Sequence, residues 1–161
     1  MTIAVGQKLP VATFGTMQDG KPEELTTDQV FAGKHVAVFA VPGAYTPTCH
    51  LKHLPGFVAN AKTFRDKGID TIACISVNDV FVLGQWCKDT GADGTILMLA
   101  DGSGDFTRAI GMELDLSGDG LGLRSKRYAM LVRNGVVEAL NVEENAGVAV
   151  ASSAEALLKS L

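Results

Sequence analysis

The stretch His35-Val36-Ala37-Val38-Phe39-Ala40-Val41-Pro42-Gly43-Ala44-Tyr45-Thr46-Pro47-Thr48-Cys49-His50 passes from a β-rich, almost wholly apolar run to a Pro-Gly turn, and then to a helix start that carries a cysteine. Such a run is expected of a strand covered on both faces, and Pro42-Gly43 ends it. A helix should follow at once. The Thr46 side-chain oxygen can accept from a free N–H of the first turn, and Pro47 loses nothing at the next position, because its missing donor has no intrahelical partner there. Cys49 then falls in the first turn, where unpaired N–H groups and the positive end of the helix dipole favour thiolate over thiol. A buried structural cysteine at a capped helix start would carry the same local sequence, so position alone leaves both readings standing.

Composition narrows the classes. With 161 residues, 47% hydrophobic and 20% charged, the chain can bury one sizeable core, and a single domain over residues 1–161 is expected. The formal net charge of -4 is spread among interspersed acids and bases, which leaves no basic stripe to follow a phosphate backbone and argues against a nucleic-acid partner. Residues Met1 to Gly6 lack a positive region followed by an apolar core, and no apolar run approaches the roughly 20 residues of a membrane span, so a cytoplasmic location without membrane attachment is expected. Cys49, Cys74 and Cys87 are an odd set without C-x-x-C spacing, as expected of reduced thiols.

Working outward, residues 1–34 read as a lead-in: an extended piece near Val11 to Thr16, a turn at Asp19-Gly20, and a short helix capped by Thr26 or Thr27 and ended by Gly33. His35, at the edge of the following strand, reads as a solvated or structurally bonded imidazole. The cysteine helix is expected to run from Pro47 to Lys67-Gly68, with a kink at Pro55, whose ring would crowd the carbonyl of Leu51. Asp70 to Val77 reads as a second strand parallel to the first. Asn78-Asp79 caps a helix over about residues 80–90, and Thr95 to Ala100 is a third strand. A turn at Asp101 to Gly104, a short helix ending near Gly111 and a loop over Ser117 to Gly122 come next. That loop matches neither G-x-x-x-x-G-K-[ST] nor a G-x-G-x-x-G that opens a helix, so phosphate binding is not expected. Arg127 to Arg133 and Val136 to Asn141, joined by Asn134-Gly135, read as a hairpin, and Ser152 or Ser153 with Glu155 begins a last helix to Leu161. The order is α/β: a central mixed sheet, parallel first and closed by an antiparallel pair, flanked by helices and compatible with a thioredoxin-like fold.

Three constellations could carry chemistry. A thiolate at Cys49 beside a hydroxyl and a guanidinium could attack an electrophilic atom, and Thr46, three residues earlier, can lie on the same side of the turn. Plain capping by Thr46 stands beside that role. Cys49, His50 and His53 share helix-face spacings that resemble metal ligands, but a structural zinc site wants a second pair and none exists, so no metal is expected. Arg124, Lys126 and Arg127 cluster before the hairpin and, on composition alone, read as a solvated loop.

Pro42-x-x-x-Thr46-x-x-Cys49 matches the P-x-x-x-T-x-x-C pattern of peroxiredoxins, and with His53-Leu54-Pro55-Gly56-Phe57 it resembles the type II, peroxiredoxin-five-like subfamily. Cys74 to Asp79, Leu99 to Gly102 and Gly122 to Tyr128 resemble it as well, so the similarity covers nearly the whole chain. The resemblance implies a thioredoxin-like fold and a peroxidase without a cofactor, acting on hydrogen peroxide and organic hydroperoxides. It implies that Cys49 is the peroxidatic cysteine, that Thr46 and Arg127 are its polar partners, and that Pro42 shields the thiolate, which reverses the solvated-loop reading of Arg127. Many type II relatives carry a resolving cysteine near the C-terminus, but Ala149 to Ser153 holds none. Cys74 matches a resolving position of plant-like members, whereas strand alternation leaves it in the core. Glutathione with glutaredoxin, or thioredoxin, is then the expected reductant, and a homodimer is implied. A thiol sensor oxidised once without sustained turnover is the rival from another class.

Overall fold

The computed structural model describes residues 2–161. Strand β1 (Thr13–Gln18) turns through Asp19 and Gly20, both at positive φ, into β2 (Lys21–Thr26), and Thr26 forms a capping box with Gln29 at the start of α1 (Thr27–Phe31). Strand β3 (His35–Val41) follows, and then a π-helical turn (Cys49–His53), α2 (Leu54–Ala59) and α3 (Ala61–Asp66). Beyond them come β4 (Thr71–Ser76), α4 (Val80–Asp89), β5 (Leu97–Ala100) and α5 (Asp105–Ala109). Strands β6 (Glu113–Leu116) and β7 (Gly122–Ser125) form a small antiparallel pair around a 3₁₀ turn, and β8 (Tyr128–Arg133), β9 (Val136–Val142) and α6 (Ala154–Leu158) complete the chain.

The main sheet has the order β2-β1-β5-β4-β3-β8-β9, with β3, β4 and β5 parallel and β1 and β8 antiparallel to their neighbours. This is the mixed thioredoxin-like sheet expected from the sequence. β3 is buried along its whole length, and its alternate residues serve two cores. Ala37, Phe39 and Val41 face the helices that follow Cys49, with Phe57, Phe64 and Trp86, whereas Val36, Val38 and Ala40 face Phe14, Phe31 and Phe106. Among the described residues no helix is long and apolar enough to cross a membrane.

Several elements differ from the sequence expectation. β2 was not foreseen, because Lys-Pro-Glu-Glu-Leu-Thr is exposed and polar; it is an edge strand held by the Asp19-Gly20 turn, which is where a proline is tolerated. The loop expected over Ser117 to Gly122 is the link between β6 and β7 and enters β7 at Gly122. The long cysteine helix divides at Asn60, whose side-chain amide donates to Gly56 O at 2.8 Å. Irregularity also arrives earlier than the expected kink at Pro55. Leu54 N–H bonds to Cys49 O, so the chain takes i→i+5 bonding just before the proline that cannot supply a donor. Of the two readings expected for His35, the structure takes the bonded one: its Nδ1 lies 3.2 Å from Arg133 Nη2, and Glu138 is 3.4 Å from Nε2.

Candidate active site

The C-terminal end of β3 delivers the chain through Pro42 and Gly43 into the turn that holds Cys49. Helical bonding begins as expected, with His50 N–H on Thr46 O at 2.9 Å. The Thr46 hydroxyl does not cap. It lies 2.7 Å from Gly43 O and 2.8 Å from Cys49 Sγ. The carbonyl can only accept, so beside a thiol the hydroxyl donates to Gly43 and receives the S–H, and beside a thiolate its single proton is drawn to the sulfur. The capping expectation for this side chain is thus replaced by direct contact with the cysteine.

Arg127 reaches the same sulfur from the opposite side. It precedes Tyr128, which pairs with Ala40, so it stands level with the end of β3. The side chain is 2% exposed, and Nη2 donates to Cys49 Sγ at 2.9 Å. Nε donates to Ala146 O at 2.9 Å, and Nη1 lies 2.9 Å from His53 Nδ1. The solvated-loop reading of the basic cluster therefore fails for this residue. It also fails in part for Arg124, whose Nη1 donates to the carbonyl of buried Pro42 at 3.2 Å. A Cβ on Gly43 would meet the end of that guanidinium at 2.5 Å, so a side chain there would push Arg124 off the Pro42 carbonyl.

His53, to which sequence spacing gave no role once a metal was set aside, is held by two remote segments. Arg127 has donors only, so Nδ1 must accept from it, and Nε2–H must donate to Ser152 O at 2.8 Å. Burial pushes this imidazole down to about 4; the Ser152 carbonyl opposes the shift and Arg127 adds to it. Ser152 is held in turn by Glu143, whose Oε2 takes its backbone N–H at 2.7 Å and its hydroxyl at 2.6 Å. Burial alone would raise the Glu143 carboxyl, yet these bonds and those from Val150 and Ala151 keep it below the usual range. A buried line thus runs Glu143, Ser152, His53, Arg127, Cys49. Of this line only Cys49 stands out in its local sequence; His53 lies near it without a visible role, and Arg127, Ser152 and Glu143 come from remote sequence.

His50 is engaged within the chain as well: its Nδ1 accepts from Trp86 Nε1 at 3.0 Å and its ring stacks on Tyr45. Tyr45, at φ +65°, donates to Asp89 at 2.6 Å, so the turn is tied to α4 on both sides of Cys49. Cys74 sits in β4 between Phe39 and Met98, fully buried, and burial pushes its thiol well up. Cys87 lies on α4, its thiol pushed to about 11 by burial and by Asp93.

A neutral, buried His53 makes stability depend on pH. The unfolded ring takes a proton near 6.5 and the folded ring only near 4, so between these values the unfolded chain binds more protons. Stability from this ring is fully present above about pH 6.5 and is lost towards pH 4, by on the order of 3 kcal/mol. Urea midpoints measured across that window should fall more steeply for the native chain than for His53→Gln; parallel curves would contradict the assignment.

The redoxin family model matches residues 4–158. The chain is 51% identical to "Peroxiredoxin-2E, chloroplastic" of Arabidopsis thaliana, over 99% of its own length and 70% of that protein's. It is 44% identical to "Peroxiredoxin-2D" of the same organism, over 99% and 98% of the two lengths. The crystal structure of reduced Prx3 in complex with H2O2 from Vibrio vulnificus superposes with a TM-score of 0.94 at 47% identity, covering 99% of each chain.

Proposed function

The chain belongs to the redoxin family as a type II peroxiredoxin, a thiol peroxidase with Cys49 as its peroxidatic cysteine, and we propose that glutathione with glutaredoxin restores it after each turnover. One observation carries our account of the chemistry: Arg127 Nη2 and Thr46 Oγ1 converge on the buried Cys49 Sγ at 2.9 and 2.8 Å. In this account the Cys49 thiolate attacks the hydroxyl oxygen of ROOH; an S–O bond forms, the O–O bond breaks, and RO⁻ leaves to take a proton from water. Arg127 and the Thr46 hydroxyl hold the negative charge as it passes from sulfur to the leaving oxygen, and Pro42 closes the site from water. His53 acts through Arg127 as a positioning residue.

The sulfenic acid then needs a thiol. We assign Cys74 to the core. To reach Cys49 it would have to leave a strand paired on both sides, and its thiol is held protonated by burial. Glutathione instead condenses with Cys49–SOH, releasing water and leaving a mixed disulfide, which glutaredoxin or a second glutathione reduces. Cys74→Ser should therefore keep steady-state peroxide consumption with glutathione and glutaredoxin within about twofold of the native chain. Loss of turnover with the first oxidation intact would make Cys74 the resolving residue, and turnover with thioredoxin alone would change the reductant. Oxidation of one equivalent without turnover on any donor would favour the sensor reading.

We further propose a homodimer and a reducing, cytoplasmic compartment. Exposed Tyr45, Leu51 and Val148 lie on the segments around Cys49, where a second copy would cover them, and the three cysteines are unpaired.

A further inference from the structure

β1 and β5 are neighbours in the sheet, yet they share a single register pair, Gly15 with Ala100. Continued in register, Met17 would oppose Met98, but no pair forms there. A cavity of about 690 Å³ lies at this place, lined by the consecutive residues Thr16, Met17 and Gln18 of one strand and by Leu97 and Met98 of the other. Successive strand residues point to opposite faces, so a cavity lined by consecutive residues of two strands lies in the plane of the sheet and meets their backbone edges. It is a notch at the end of the sheet remote from Cys49, since it opens at the start of β4 and β5 whereas Cys49 follows the end of β3.

The rim carries charge of both signs. Arg65 and Lys88 supply cations and Asp70 and Asp93 supply carboxylates; none of the four is in an ion pair among the described residues, although Asp70 Oδ2 accepts from His35 N–H at 2.8 Å, Asp93 Oδ1 lies 3.8 Å from Cys87 Sγ and Arg65 Nη2 lies 3.5 Å from Thr95 O. The floor is apolar, with Ile72 and Met98, and Cys87 opens onto it from α4. The volume is in the range of sites that hold small molecules, roughly 300–1,000 Å³.

We infer that this notch is a second binding site, separate from the peroxidatic centre, for a short zwitterionic peptide in extended form. Its backbone would add to the open edges of β1 and β5, its carboxylate would meet Arg65 and Lys88, and its ammonium would meet Asp70 and Asp93. An apolar ligand would leave the rim unused, and a simple anion would engage only half of it.

Cys87 supplies the readout, because it lines the notch whereas Cys49 and Cys74 are fully buried. Alkylation of the reduced full-length chain by iodoacetamide at about pH 7, where the peptide amine is still an ammonium, is extended to offset the small thiolate fraction and followed residue by residue by mass spectrometry, with S-methylglutathione or triglycine as probe; neither carries a thiol to exchange. At about 5 mM either peptide should slow Cys87 alkylation about threefold or more, and Arg65→Gln/Lys88→Gln should raise the half-protecting concentration about tenfold. Both substituted residues are exposed and outside the peroxidase machinery, so peroxide turnover by that variant should equal the native chain's. No protection at about 10 mM, equal protection in the double variant, or equal protection by succinate would overturn the site. Turnover with glutathione and glutaredoxin is measured separately on the same protein, so failure of the proposed recycling route and failure of the notch give different results.

Discussion

Arg127→Gln is expected to slow the oxidation of Cys49 by hydrogen peroxide about 10²–10³-fold, through loss of charge-assisted bonds of about 1.5–3 kcal/mol each. The guanidinium is the only cation in contact with the sulfur among the described residues, and it is aimed there by three fixed partners: Ala146 O, His53 and Cys49 itself. Glutamine keeps a donor but brings no charge, and it is too short to span the same partners. The second-order rate, followed by stopped flow, should fall with little change in the affinity for glutaredoxin, because Arg127 is 2% exposed and meets no macromolecule. A rate within about threefold of the native value would remove Arg127 from the chemistry. Folding is checked by the emission of Trp86, which is buried beside His50.

Cys49→Ser should be more severe, with peroxide consumption falling to the uncatalysed background under every donor. The other thiols cannot substitute. With its thiol at about 11, Cys87 exposes only about one thiolate in 10⁴ at neutral pH, and burial takes Cys74 further still. Neither has a guanidinium donating to it among the described hydrogen bonds, whereas Cys49 has Arg127. The measurement is loss of peroxide at several donor concentrations. Residual donor-dependent turnover above about 10⁻³ of the native rate would show that a second cysteine is active.

The central frame was legible because its signals are local. The apolar run of β3, the parallel β4 and the Asn134-Gly135 hairpin each carry their own boundary residues, and Asn134 and Gly135 do adopt the positive φ that a two-residue turn demands. β2 and the β6–β7 pair were not legible, since polar edge strands are specified by what they pair with rather than by periodicity. At the site, Cys49 and Thr46 were visible in the helix-start pattern, and Arg127 came only from the resemblance. The role of His53 was hidden. Helix spacing set it beside Cys49 and His50 but gave it no role once a metal was set aside, whereas its partners are the guanidinium of Arg127 and the carbonyl of Ser152, contributed by other segments. The turn around Cys49 was misjudged for a similar reason: a π-helical turn depends on how neighbouring segments grip it, as Tyr45 and His50 do on α4.

The segment from Glu143 to Ser152 grips Arg127 and His53 through the carbonyls of Ala146 and Ser152, which any amino acid would supply. Apart from Glu143, Asn145 and Ser152, whose side chains bond within the segment, drift is therefore loosely constrained at the level of side chains and tightly bounded in length, because adding or deleting one residue would displace both carbonyls from their donors. An engineer wishing to decorate the rim of this peroxidase can exchange the side chains of Ala146 or Ala149 while leaving Glu143 as the anchor and Asn145 on the Gly147 N–H, and should expect an insertion there to disarm a cysteine that it never touches.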